Sequence, residues 1–183
     1  MTSTNKKFSP ILDPERIQFV KKIESKKCVF DALTALLIKG QKEVTKNEVF
    51  DALIKREKLG STSIGNGFSV PKGHLPIKNP RAAVLVVKKG INLGAADKQV
   101  TKYFIAVLLP EEQREQYDGM LRELNKALML KGVPKSIIDS KNTELLAKHF
   151  DDLLYDKSLS IIADDDSKQI KDSDTKNNEK EIE

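Results

Sequence analysis

The sequence predicts a mixed α/β domain, one mixed β-sheet flanked by helices, and three observations lead there. Residues 82–87 and 103–109 are apolar runs rich in β-branched and aromatic side chains, without polar alternation. That is the pattern of central strands covered on both faces. Three other segments carry apolar residues at helical spacing. The chain has 183 residues, enough for one substantial core and too few for two ordinary domains.

The elements follow in chain order. Ser25 is placed to N-cap a helix over 26–38, with Val29, Phe30, Leu33, Leu36 and Leu37 on one face and Gly40 as its stop. Thr45 and Glu48 form a capping-box pattern that opens a second helix over 46–58. Its apolar face is Val49, Phe50, Leu53 and Ile54, and it ends near Gly60. A loop rich in glycine, serine and asparagine runs from Gly60 to Gly67, and the short apolar run Phe68-Ser69-Val70 then meets Pro71. The two strand runs come next, joined by a connector in which Gly90, Gly94 and Asp97 favour turns. Pro110-Glu111-Glu112 reads as a helix entry. The third long helix, 114–130, carries Tyr117, Leu121, Leu124 and Leu128, and Gly132 and Pro134 close it. A short segment at 134–139 and a last helix over 142–155 complete the body.

Composition bounds the function. Charged residues make up 32% and apolar residues 39%, so the surface is heavily charged. No stretch approaches the roughly 20 apolar residues that span a bilayer. The opening MTSTNKKFSP has no apolar core of a secretory signal. The single cysteine, Cys28, excludes an internal disulfide and reads as an ordinary thiol. A cytoplasmic protein is the expectation. The net charge of +5 is uneven. Residues 164–183 hold eight acids and four lysines, −4, which leaves +9 on residues 1–163. A tail with so few apolar residues is expected to be disordered. The division is a flexible N-terminus over 1–11, a domain over 12–163 and a disordered acidic tail over 164–183. The lysines of the body are scattered, with no aromatic-interleaved strand and no helix-turn-helix pattern, which speaks against nucleic acid. The two histidines, His74 and His149, lie 75 residues apart with no cysteine partner. No metal site is expected, and no cofactor.

The most specific stretch runs from Arg56 to Gly73, REKLGSTSIGNGFSVPKG. An arginine fork suits phosphate oxygens, and hydroxyls and backbone N–H groups of a glycine-rich loop supply neutral donors. The stretch resembles the signature of the fructose/mannitol-type enzyme IIA domains of the phosphotransferase system, most of all their nitrogen-regulatory branch. The resemblance covers roughly residues 12–155 and implies that family's fold. It implies passage of a phosphoryl group from a carrier protein's histidine to a histidine of the domain. For the nitrogen-regulatory branch it also implies docking on partners such as the phosphocarrier protein, sensor kinases or ion transporters.

Arg56, Ser61, Thr62, Gly65, Asn66 and Gly67 match the family's arginine and loop. The resemblance places Lys72 at the phosphorylated histidine and Tyr117 at a second histidine of the site. Arg56, Ser61, Thr62, Asn66 and Lys72 are then candidates to bind an anion or a partner. Ser61 and Thr62 also read as turn-forming hydroxyls, Arg56 as a helix-end ion pair, and Tyr117 as a core anchor. A lysine ammonium has no lone pair to offer phosphorus. His74 is the one nearby alternative acceptor; in a strand it would share a face with Lys72, although Pro71 and Gly73 argue for a turn. His149 reads as surface or packing. The leading expectation is a regulatory protein-binding module that carries no phosphoryl group. The alternatives are an active phosphoryl carrier using His74, or a small-anion sensor. An acidic group or anion is expected beside Lys72, since Arg56 and Lys72 should lie close and would otherwise repel.

Overall fold

A computed structural model describes residues 11–150 and 152. The expected features of 1–10 and 164–183, and the end of the last helix, lie outside the described residues. The elements are β1 (Leu12–Val20), α1 (Lys26–Leu37), α2 (Lys46–Lys58), β2 (Ser63–Gly65), β3 (Phe68–Ser69) and β4 (Lys72–Leu75). There follow β5 (Arg81–Ile91), β6 (Thr101–Pro110), a 3-10 turn over Glu111–Gln113, α3 (Arg114–Lys131) and α4 (Lys135–Ser140). Residues 143–150 are helical and are called α5 here.

The six-stranded sheet has the order β1-β5-β6-β3-β2, and β4 pairs with β6. β5 and β6 are antiparallel at its centre, whereas β1 runs parallel to β5 and both β3 and β4 run parallel to β6. The mixed α/β fold is thus the one expected. Alternation along β5 and β6 divides the core. Ala82, Val84, Val86, Ile105, Val107 and Leu109 face a layer made by α3 and α5. Ala83, Leu85, Val87, Phe104, Ala106 and Leu108 face α1 and α2. Helices cover both faces, which is why neither run needs polar alternation.

The caps form as the side chains demand. The Ser25 hydroxyl accepts from the Cys28 N–H, and Thr45 and Glu48 close a full capping box. The Thr45 backbone N–H, and then its hydroxyl, hold the Glu48 carboxyl below its usual range.

Three features depart from the sequence reading. β1 was not expected as a strand: its segment holds Asp13, Pro14, Glu15 and Arg16, which interrupt any apolar pattern. It pairs through an irregular register between Leu12 and Ile17, and Arg16 bonds the Ala82 and Ile11 carbonyls. Ile11, grouped with a flexible terminus by sequence, is buried. Second, the 60–67 loop contains a hairpin. Asn66 and Gly67 both have positive φ, 52° and 79°, joining β2 to β3, the two-residue turn that matches strand twist. Third, residues 72–75 form a strand rather than a turn, and that strand positions the site.

Candidate functional site

β4 runs beside β6 in the register Lys72↔Val107, Gly73↔Leu108, His74↔Leu109. Val107 and Leu109 face α3, and Lys72 and His74 turn the same way. Gly73 turns toward α2. A Cβ there would sit 3.0 Å from the Ala52 Cβ and 3.4 Å from a Leu108 methyl, so α2 packs on β4 as closely as glycine allows.

The strand floors a cleft of about 670 Å³ between α2 and the start of α3. From α2 and its C-cap, Glu48, Asp51, Lys55, Arg56 and Leu59 line it; from α3 and the turn before it come Glu111, Arg114 and Asp118. Both sets recur at helical spacing and so share one face of each helix. Leu59 is 81% exposed at the cleft, an apolar group beside charges of both signs.

Lys72 meets an acid. Its Nζ lies 2.6 Å from the Asp118 Oδ1. The acidic neighbour expected beside Lys72 is therefore a side chain of this chain. The same Oδ1 is 3.4 Å from the His74 Nε2. That nitrogen is buried and has no hydrogen-bond partner. Burial pulls the His74 pKa below its ordinary value; Asp118 opposes this, and Arg114 and Lys72 reinforce it. The imidazole lines the cleft beside the ion pair, with only 9% of its side chain exposed. The lining carries four basic side chains (Lys55, Arg56, Lys72, Arg114) and four acids (Glu48, Asp51, Glu111, Asp118). It is charge-balanced rather than a simple anion cradle.

The other sequence candidates divide. Arg56 lines the cleft, and its Nη1 donates to the Gly60 carbonyl at 3.0 Å. Thr62 does not line it. Thr62 is buried, and its N–H and hydroxyl both donate to the Glu57 carboxylate, at 2.9 and 2.5 Å. The Ser69 hydroxyl lies 3.1 Å from the Thr62 hydroxyl, and Lys26 caps the other Glu57 oxygen at 2.6 Å. Ser61 accepts from the Ser63 N–H and Asn66 donates to the Met129 carbonyl at 2.8 Å; neither reaches the cleft lining. Tyr117 is buried in the α3 face of the core, where burial raises its phenol pKa.

Asp118 and Arg114 went unremarked in the sequence, although Glu111, Arg114 and Asp118 stand at i, i+3 and i+7 on the turn and helix after β6. That spacing was the available signal. His149 has a buried Nε2 without a partner, and burial lowers its pKa. Among the described residues no group of acids, histidines or cysteines could hold a metal ion. None of their helices is long and apolar enough to cross a membrane.

Known proteins resemble this chain in sequence and in fold. The family model described as phosphoenolpyruvate-dependent sugar phosphotransferase system, EIIA 2, matches residues 10–152. The nitrogen regulatory protein homolog of Haemophilus influenzae is 31% identical over 150 residues, 79% of this chain and 91% of that protein. The nitrogen regulatory protein of Escherichia coli is 30% identical over 145 residues, 78% of this chain and 88% of that protein. Among solved structures, the nitrogen regulatory protein IIA-Ntr of Neisseria meningitidis superposes with a TM-score of 0.64. It is 26% identical, over 79% of this chain and 96% of that one. A nitrogen-regulatory-like chain of this length, fold and match is a member of the EIIA 2 family of the phosphoenolpyruvate-dependent sugar phosphotransferase system.

Proposed function

We propose that this chain is a regulatory IIA domain that docks a protein partner at the cleft around Lys72 and takes no phosphoryl group there. One observation carries the reading: the ammonium of Lys72, where the family resemblance places the acceptor histidine, is engaged by Asp118 at 2.6 Å. An ammonium has no lone pair, and the adjoining carboxylate would repel an incoming phosphoryl group. The rest of the cleft suits a protein. Exposed Leu59 offers an apolar anchor amid charges of both signs, as an interface with an apolar centre and a polar rim would use. Phosphocarrier protein, sensor kinase and ion transporter are the partner classes the resemblance suggests, and the cytoplasm is where they would be met.

The test is titration of the isotope-labelled chain with unphosphorylated phosphocarrier protein. Shifts clustered at Lys55, Arg56, Leu59, Lys72 and Arg114 are expected. Shifts absent from all five would remove the carrier as the partner and leave the other two classes.

A second reading has its own observation. The His74 Nε2 has no hydrogen-bond partner and burial lowers the ring's pKa, which favours the neutral form whose lone pair an active carrier would use. Asp118 at 3.4 Å and a side chain only 9% exposed count against it. A phosphoryl gain in the natural chain that disappears in His74→Gln would establish it. The small-anion sensor is the weakest of the three, because four acids share the cleft with four bases.

A further inference from the structure

One end of the sheet lies far from the cleft and carries a different charge. Lys21 and Lys22 follow β1, Lys88 and Lys89 close the regular part of β5, Lys98 precedes β6 and Lys102 lies at its start; all six are exposed. The fold gathers them. The Lys89 N–H bonds the Lys21 carbonyl at 3.1 Å, and a Cβ on Gly90 would lie 3.1 Å from the Lys102 side chain. Segments 20–25 and 87–102 contain two acids, Glu24 and Asp97, so these stretches carry +4. Asp97 is already occupied with the N–H groups of Asn66 and Gln99.

The described chain finishes beside this end. A ring N–H of His149 on α5 donates to the Gly132 backbone carbonyl. Gly132 lies against the Phe68 ring, which stacks on Tyr103 with centroids 4.8 Å apart. Tyr103 adjoins Lys102. Strand alternation also puts Lys21 on the face of Phe19 and Lys88 on that of Val86, the face that α5 covers. Beyond residue 152, eleven residues lead to the segment 164–183, whose eight acids and four lysines give −4. Eleven residues reach at most about 40 Å.

We propose that the acidic segment 164–183 docks on the lysine-rich sheet end formed by Lys21, Lys88, Lys89 and Lys102 of its own chain, and screens that surface from anionic partners. The charges match in number and opposite sign. Tethering makes the encounter intramolecular, so an effective concentration near the millimolar range replaces a bimolecular search. The contact is electrostatic and therefore sensitive to salt. The inference is independent of whether the cleft accepts a phosphoryl group.

Zero-length carbodiimide cross-linking of the full chain, mapped by mass spectrometry, tests it. Links from the acids of 164–183 should fall on Lys21, Lys88, Lys89 and Lys102 at least about fivefold more often than on Lys42, Lys46 or Lys135. They should be unchanged on tenfold dilution and lost in ~1 M salt, where the screening length falls to about 3 Å. An even spread over all lysines, or no tail links, overturns the proposal. Links found only between differently labelled copies in a mixed sample overturn it in favour of a second copy. As an independent readout, Asp164, Asp165 and Asp166 together changed to Asn should move the Lys21, Lys88 and Lys89 amide resonances and leave those of Lys72 and Asp118 in place. Unmoved lysine amides would contradict the proposal.

Discussion

The hairpin after α2 and the strand β4 lie three residues apart in sequence and do opposite things with their polar groups. In the hairpin, residues that resemble a phosphate cradle are turned inward on one another. Glu57, Thr62, Ser69 and Lys26 form a closed set of bonds, and Asn66 ties the turn to the end of α3. On β4, Lys72 and His74 line an open cleft, and the carboxylate that pairs with Lys72 lies 3.4 Å from the His74 Nε2. The comparison teaches that a motif can persist for the backbone it shapes while the chemistry it accompanies is set elsewhere. Glu57 fixes the path of the chain into β3 and β4, and β4 presents the groups that a partner or a phosphoryl donor would meet.

The contrast can be broken from either side. The largest effect belongs to the closed set. Glu57→Ala leaves the buried Thr62 donors and Lys26 without their acceptor, and should lower stability by about 3 kcal/mol. Urea unfolding would measure it; a loss under ~1 kcal/mol would show that the hairpin does not depend on Glu57. Next is the packing that holds α2 on β4. Gly73→Val forces two methyls into the 3.0 Å approach of Ala52 and should cost about 2 kcal/mol, read as a lower denaturant midpoint.

The cleft itself should be thermodynamically quiet. Lys72 and Asp118 are 23% and 26% exposed, so Asp118→Asn should cost only about 1 kcal/mol after solvent screening. Its stronger signature is on His74. Asp118 is the largest influence raising that pKa, so its neutralisation should move the His74 titration to lower pH by NMR, and Lys72→Met should move it higher. Shifts in the reverse senses would mean that the three side chains are not neighbours in solution.

The smallest effect is a pH dependence. Both His74 and His149 have folded pKa values depressed by burial from an ordinary value of 6.5. The unfolded chain then binds more protons than the folded one below that value. The stability these neutral rings confer is complete above about pH 6.5 and is lost as pH falls toward the folded values. His74→Gln should flatten that part of the profile, and an unchanged slope would assign it to other groups.

Much of the fold was legible in the sequence because β5, β6 and the three long helices are written in apolar spacing and caps. β1 was not, since a Pro and three charged residues hide a strand that pairs parallel to a distant partner. Parallel pairing leaves no local signal. β4 was hidden by Pro71 and Gly73, each of which favours a turn locally. Here Pro71 contributes only its carbonyl, to the Val107 N–H, and Gly73 is needed for close packing. The site was legible by half. Arg56, Lys72 and His74 do meet at one cleft, whereas the loop hydroxyls could not be assigned to the inside from residue type. Asp118 escaped notice because its meaning depends on α3 crossing β4, a tertiary fact.

Intact-mass measurement after incubation with phosphoenolpyruvate, enzyme I and the phosphocarrier protein goes to the centre of the account. The natural chain should gain no phosphoryl group, because Lys72 offers no lone pair and the Asp118 carboxylate, 3.4 Å from the little-exposed His74 Nε2, would repel an incoming phosphoryl group. Run beside it, Lys72→His should gain one, since it restores an imidazole on the same strand face. A phosphoryl group on the natural chain, at His74 or elsewhere, would contradict the account directly.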